Sequence, residues 1–145
     1  MDYFATFIDI LKEYLETHDL SMNKFAQNVG VEQTAVGYWL IGKNFPSLES
    51  VIRVADYLDC AIDYLFGLTQ NPAYPKASVR TSLTHRLKEL LKPNKNQVAL
   101  GTGIHPSLLS KWERGICTPK IESLIKLANY FNCSLDYLVG RSDAK

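Results

Sequence analysis

No apolar run in these 145 residues approaches the roughly 18 needed to cross a bilayer, which excludes a membrane-spanning helix. Strand-like alternation of apolar and polar residues is missing along the whole chain, so a β architecture is excluded as well. Cysteine is scarce. Three thiols cannot all pair within one chain, and Met1-Asp2-Tyr3-Phe4 lacks the basic, then apolar, then small-residue order of a secretion signal. Together these lead to an expectation of a cytoplasmic protein with no membrane partner. Cys60 and Cys133 sit beside apolar residues at spacings that match no zinc motif, and read as small core residues. There is no phosphate-binding glycine loop and no nucleophile motif, and His18, His85 and His105 have no Cys, His or carboxylate partner at ligand spacing. The expectation is therefore no enzyme, no metal and no cofactor.

What the chain does have is a repeat. Ala-Asp-Tyr-Leu-Asp-Cys-Ala-Ile-Asp-Tyr-Leu-Phe-Gly at 55–67 returns as Ala-Asn-Tyr-Phe-Asn-Cys-Ser-Leu-Asp-Tyr-Leu-Val-Gly at 128–140, 73 positions later. The same offset pairs Gly30 with Gly103, Trp39 with Trp112, Gly42 with Gly115, Pro46 with Pro119 and Cys60 with Cys133. Chance would not hold one register so long. Each copy should be one folding unit with its own core, of roughly 65 residues.

The net charge of +1 conceals two opposed halves. In residues 1–68, four lysines and arginines face ten carboxylates, a balance of −6; in residues 69–145, twelve face five, a balance of +7. Only the second half has a strong attraction for a polyanion.

Helical spacing recurs at Phe7, Ile8, Leu11, Tyr14 and Leu15, and at Leu83, Leu87, Leu90 and Leu91. A short second helix follows in each copy, capped by Ser21 or Asn94, with Phe25-Ala26 or Val98-Ala99 facing inward, and stops near Gly30 or Gly103. A third runs through Trp39 or Trp112, both read as core anchors, to Gly42 or Gly115. The fourth begins after Pro46-Ser47 or Pro119 and should bury Leu48, Val51, Ile52, Ala55 and Leu58, or Ile121, Leu124, Ile125, Leu127, Ala128 and Phe131. A short fifth ends at Gly67 or Gly140. Tyr57, Tyr64, Tyr130 and Tyr137, in the last two helices, read as packing residues. Residues 69–80 hold two prolines without apolar periodicity and read as a linker, able to span up to about 40 Å if extended.

Helix, tight glycine turn, helix, with Val98-Ala99, Gly103-Ile104, Ser110-Lys111-Trp112-Glu113-Arg114-Gly115, Pro119, Leu124, Leu127-Ala128 and Leu135-Asp136-Tyr137-Leu138, resembles the Cro/C1 family of helix-turn-helix domains, also called the xenobiotic-response-element family of bacterial and phage regulators. Copy one carries a looser version: Phe25-Ala26, Gly30-Val31, Trp39-Leu40-Ile41-Gly42, Pro46, Leu48, Val54-Ala55 and Ile62-Asp63-Tyr64-Leu65. The resemblance implies an all-α protein of two tandem five-helix lambda-repressor-like domains: an acidic one at 1–68, a Pro-containing linker at 69–80 and a basic one at 81–145.

It also implies a role for each position. The third helix of such domains lies in the major groove, so Pro106, Ser107, Ser110 and Lys111 would face base edges, and a lysine over guanine O6 and N7 is a common specific contact. Lys95, Arg114 and Lys120 would hold phosphates, and His105 would cap the third helix. Lys95 departs from the glutamine often found there, and Pro106 replaces a polar base reader while suiting a first helical turn. In copy one Gln33, Thr34, Gly37 and Tyr38, with Lys43, form a second, poorer candidate DNA surface. Leu40, Ile41 and Phe45 form a candidate protein interface. The expected function is a sequence-specific, double-stranded DNA-binding transcriptional regulator, a repressor associated with the nucleoid when bound. Its expected partners are DNA and a second copy of the chain or a regulatory protein. The alternative is a protein-interaction module, an antitoxin, phage immunity or anti-defence protein that masks another protein.

Overall fold

A computed structural model describes residues 2–145; Met1, the first residue of the N-terminal stretch read above, lies outside the described residues. Those residues form ten helices and no strand, divided into two compact units, Met1–Ala73 and Tyr74–Lys145. The first holds α1 (Tyr3–Thr17), α2 (Met22–Val29), α3 (Gln33–Leu40), α4 (Leu48–Leu58) and α5 (Ile62–Leu65). The second repeats the order as α6 (Leu83–Leu91), α7 (Lys95–Thr102), α8 (Pro106–Glu113), α9 (Ile121–Phe131) and α10 (Leu135–Leu138).

Local chemistry explains most of the boundaries. Ser21 Oγ accepts from Lys24 N and Asn94 Oδ1 from Gln97 N, so one otherwise unpaired amide at the start of α2 and of α7 is satisfied. Gly103 (φ +75°) lets α7 end in a left-handed turn, its N–H donating to Ala99 O, and α8 starts three residues later. Gly30 does the same after α2.

Each unit closes over its own core. In the first, the rings of Phe7 and Phe66 stack at 5.4 Å and Trp39 meets Phe7 edge-on at 6.0 Å, all three buried. In the second, Leu87, Leu109, Leu124, Leu127 and Leu138 are fully buried around Trp112. Both tryptophans are thus core anchors. On α4 the buried set is Leu48, Val51, Val54 and Ala55, while Ile52 and Leu58 are only half-buried. The helix presents its i, i+3, i+6, i+7 positions inward, so the buried stripe is rotated slightly toward Val54 and away from Ile52 relative to the expected one. Phe131 is likewise half-buried, and Tyr130, expected to pack, is exposed with its ring over Gly101. In the first unit Tyr14 donates its hydroxyl to Tyr57, and that bond pushes the Tyr14 pKa up to about 12 while it lowers that of Tyr57.

The stretch read as a linker is not loose. Pro72 O accepts from Ala61 N within the first unit. Tyr74 hydroxyl meets Arg141 at 2.8 Å, Ala77 N donates to Arg141 O and Thr81 N to Gly140 O within the second. A reach of 40 Å presumes an unanchored segment, so it does not apply here. Arg141 is buried against Asp136, and Arg86, also buried, donates to Tyr137 O and Ser142 O. These arginines tie residues 140–143 into the second unit. Nothing in the helical periodicity announces this.

Candidate nucleic-acid interface

The second unit builds its candidate surface from the α7–turn–α8 pair. His105 precedes α8, and its Nδ1 accepts from Ser107 N at 3.1 Å, capping the helix as expected. Ser107 Oγ lies 2.7 Å from the same nitrogen, so the cap also orients the serine hydroxyl. Pro106 follows at the first helical position, where its missing N–H costs nothing. Leu109 and Trp112 turn inward and anchor α8, which leaves Ser107 and Lys111 exposed and Pro106 and Ser110 half-buried. Arg114 closes the helix and Lys120 precedes α9; both side chains stand in solvent.

Lys95 begins α7, as expected, but its side chain is already engaged. Its ammonium is ion-paired to the Glu113 carboxylate and donates to Ser110 Oγ at 3.1 Å, so three residues named for or near DNA contact are tied to one another across α7 and α8. An ammonium so engaged is a brace between the two helices before it is a phosphate contact.

Around this brace lies a shallow cleft of about 510 Å³ lined by Lys88, Lys92, Lys95 and Arg114 together with the N-terminus of α7 and Glu113. Lys88 and Lys92 were not anticipated as site residues. The signal was present: they stand one turn apart at the end of α6, close in sequence to Lys95 at the start of α7. Lys88, Lys92, Lys111, Arg114 and Lys120 make no ion pair among the described residues, so their charge is available. A helix N-terminus adds partial positive charge to the same cleft.

Carrying the 73-residue offset back gives Leu15, Asp19, Met22, Tyr38, Ile41 and Ser47 at the positions of Lys88, Lys92, Lys95, Lys111, Arg114 and Lys120. Copy one keeps none of the six cations. Gln33 and Thr34 are exposed on α3, Gly37 and Tyr38 are half-buried, and Lys43 folds back with Nζ 4.5 Å above the Tyr38 ring. Leu40 is half-buried, but Ile41 is 73% exposed and Phe45 is 46% exposed, stacked on Phe4 at 4.1 Å.

Elsewhere, His85 does have a carboxylate neighbour, Glu89 at 3.0 Å one turn along α6, contrary to the reading of isolated histidines. Among the described residues no group of three or more His, Cys, Asp or Glu could hold a metal ion. Cys60 is buried and Cys133 half-buried beside their helices.

Two glycine-turned helix pairs in one chain define a tandem helix-turn-helix protein. The helix-turn-helix family HTH_3 matches residues 11–65 and again 87–138, more than half of the chain, and the chain belongs to that family. It is similar to YobD of Bacillus subtilis (strain 168), named an uncharacterized HTH-type transcriptional regulator, with 27% identity over 62 residues, 43% of this chain and 55% of that protein. The chain thus spans about half the length of the curated relative it matches. No solved structure matches it.

Proposed function

We propose that the protein is a sequence-specific, double-stranded DNA-binding transcriptional regulator whose second unit docks α8 in the major groove. The observation that carries this is the set of five cations unpaired among the described residues, Lys88, Lys92, Lys111, Arg114 and Lys120, between α6 and the start of α9, absent from every equivalent position of copy one. Conserving a core needs no such set; neutralising phosphate does, since the phosphate term supplies most of the affinity of such proteins. Lys111 then reads a base edge with Ser107 beside it, while Lys88, Lys92, Arg114 and Lys120 set the register on the backbone. Lys95 holds Glu113 and Ser110 in place. Repression is the mode proposed, since a domain docked across a promoter occludes it without any further contact.

A second reading attaches to the first unit. Ile41 stands exposed where the second unit has Arg114, and the stacked Phe4–Phe45 pair adds apolar surface beside it. That composition favours a protein contact, with a second copy or a regulatory partner, over DNA contact. Sedimentation of the intact protein distinguishes the two: a concentration-dependent dimer supports self-association, and a strict monomer counts against it.

The function is tested by selecting genomic fragments with the intact protein at moderate salt, and again with residues 74–145. Enrichment of one motif by both supports the second unit as reader. A longer two-part motif seen only with the intact protein means that both units touch DNA. No enrichment in either arm sinks the DNA reading and moves the assignment to a protein-masking module.

A further inference from the structure

We infer that Leu108 is a specificity residue that recognises a 5-methylpyrimidine, the methyl group of thymine or of 5-methylcytosine, in the major groove. This rests on the DNA reading above. Leu108 is 40% exposed on α8, whereas its neighbours Leu109 and Trp112 are 0% and 5% exposed and complete the core without it. It follows Ser107, and it lies one turn before Lys111, so it shares the exposed side of the helix with both candidate readers. The equivalent residue of copy one is Ala35, so this apolar bulk accompanies the cationic surface only in the second unit.

A single exposed leucine needs no explanation on an ordinary surface. A groove floor is not one. Every base edge there presents donors or acceptors, and the one apolar group among them in unmodified DNA is the thymine C5 methyl. An isobutyl group laid over a donor or acceptor would strip its water and return no hydrogen bond, at a cost; laid over a methyl it buries apolar surface on both sides. Leucine therefore both attracts a 5-methyl group and rejects the alternatives at its step. The cations around it keep the helix close enough to the duplex for such short-range contact to count.

The experiment starts from the duplex enriched by the intact protein. Each thymine is replaced in turn by deoxyuridine, which lacks only the methyl, and each CpG cytosine by 5-methylcytosine; dissociation constants are measured for the wild type, Leu108→Ala and Leu108→Met. One thymine-to-deoxyuridine change should weaken the wild type about fourfold, the value of one buried methyl, and should leave Leu108→Ala unmoved. Leu108→Met, which keeps the apolar bulk, should retain the sensitivity. If instead methylation of one cytosine tightens the wild type and not Leu108→Ala, the methyl comes from the modified base. A duplex bound with equal sensitivity by wild type and Leu108→Ala at every position overturns the leucine assignment alone. Failure to enrich any duplex overturns the DNA reading, and the assignment with it.

Discussion

Lys95 and Glu113 show how far a single side chain can be read without its neighbours. Position at the start of a second helix suggests a phosphate contact, but the partner that occupies the ammonium lies 18 residues away on another helix, where no periodicity reveals it. Copy one has Met22 and Leu40 at these two places, so the pair is exchanged as a unit and the net charge of the site is unchanged by it. Glu113→Leu should therefore free Lys95 for phosphate and steepen the salt dependence of DNA binding by about one counterion, whereas Lys95→Met should weaken all duplexes alike. The double substitution should return the slope to that of the wild type; titrations at a series of salt concentrations decide it. Lys111 and Arg114 separate on the same assay. Lys111→Ala should relax preference at one base pair and cost about 1–3 kcal/mol, while Arg114→Ala should weaken every sequence and lower the salt slope by about one.

Among the elements, caps and turns were legible because each has a short-range signature: Ser21, Asn94 and His105 all accept from an amide two or three residues on. Burial on α4 was less so, since Val54 and Ile52 are equally apolar and only the pitch of the helix against its neighbours chooses between them. Two glycines illustrate different constraints. A Cβ at Gly103 meets open space, so Gly103→Ala carries mainly the left-handed backbone cost, about 1 kcal/mol. A Cβ at Gly140 (φ +86°) would lie 2.4 Å from Thr81 O, a backbone atom that cannot swing aside, so Gly140→Ala should cost about 3 kcal/mol as backbone strain adds to the clash. Thermal melts of the two variants should rank them in that order.

For the whole molecule, the repeat and the opposed charges were plain in the sequence, while the join between the copies was not. Prolines and low apolar periodicity mark a segment without helix, yet the hydrogen bonds of Tyr74, Ala77 and Thr81 to residues 140 and 141 depend on tertiary partners more than 50 residues away. Two of the twelve cations of the second half, Arg86 and Arg141, are spent on Asp143 and Asp136 inside the unit and belong to no outer surface. A fragment beginning at 81 discards Tyr74 and Ala77 and leaves the Arg141 clasp incomplete. It should melt at least about 5 °C below a fragment beginning at 74, as expected for a loss of about 1 kcal/mol in a unit of this size. Equal melting temperatures would show that residues 74–80 contribute nothing to the fold.

The doubled module keeps its glycine turns and its tryptophan in both copies, while at the six matched outer positions five cations of the second copy face neutral residues of the first and one faces an acid. The buried core positions and the exposed cations thus fall on largely separate residues, with Lys95 and His105 serving both the scaffold and the candidate surface. Exposed residues of either copy can therefore be exchanged without touching the core that holds its helices together.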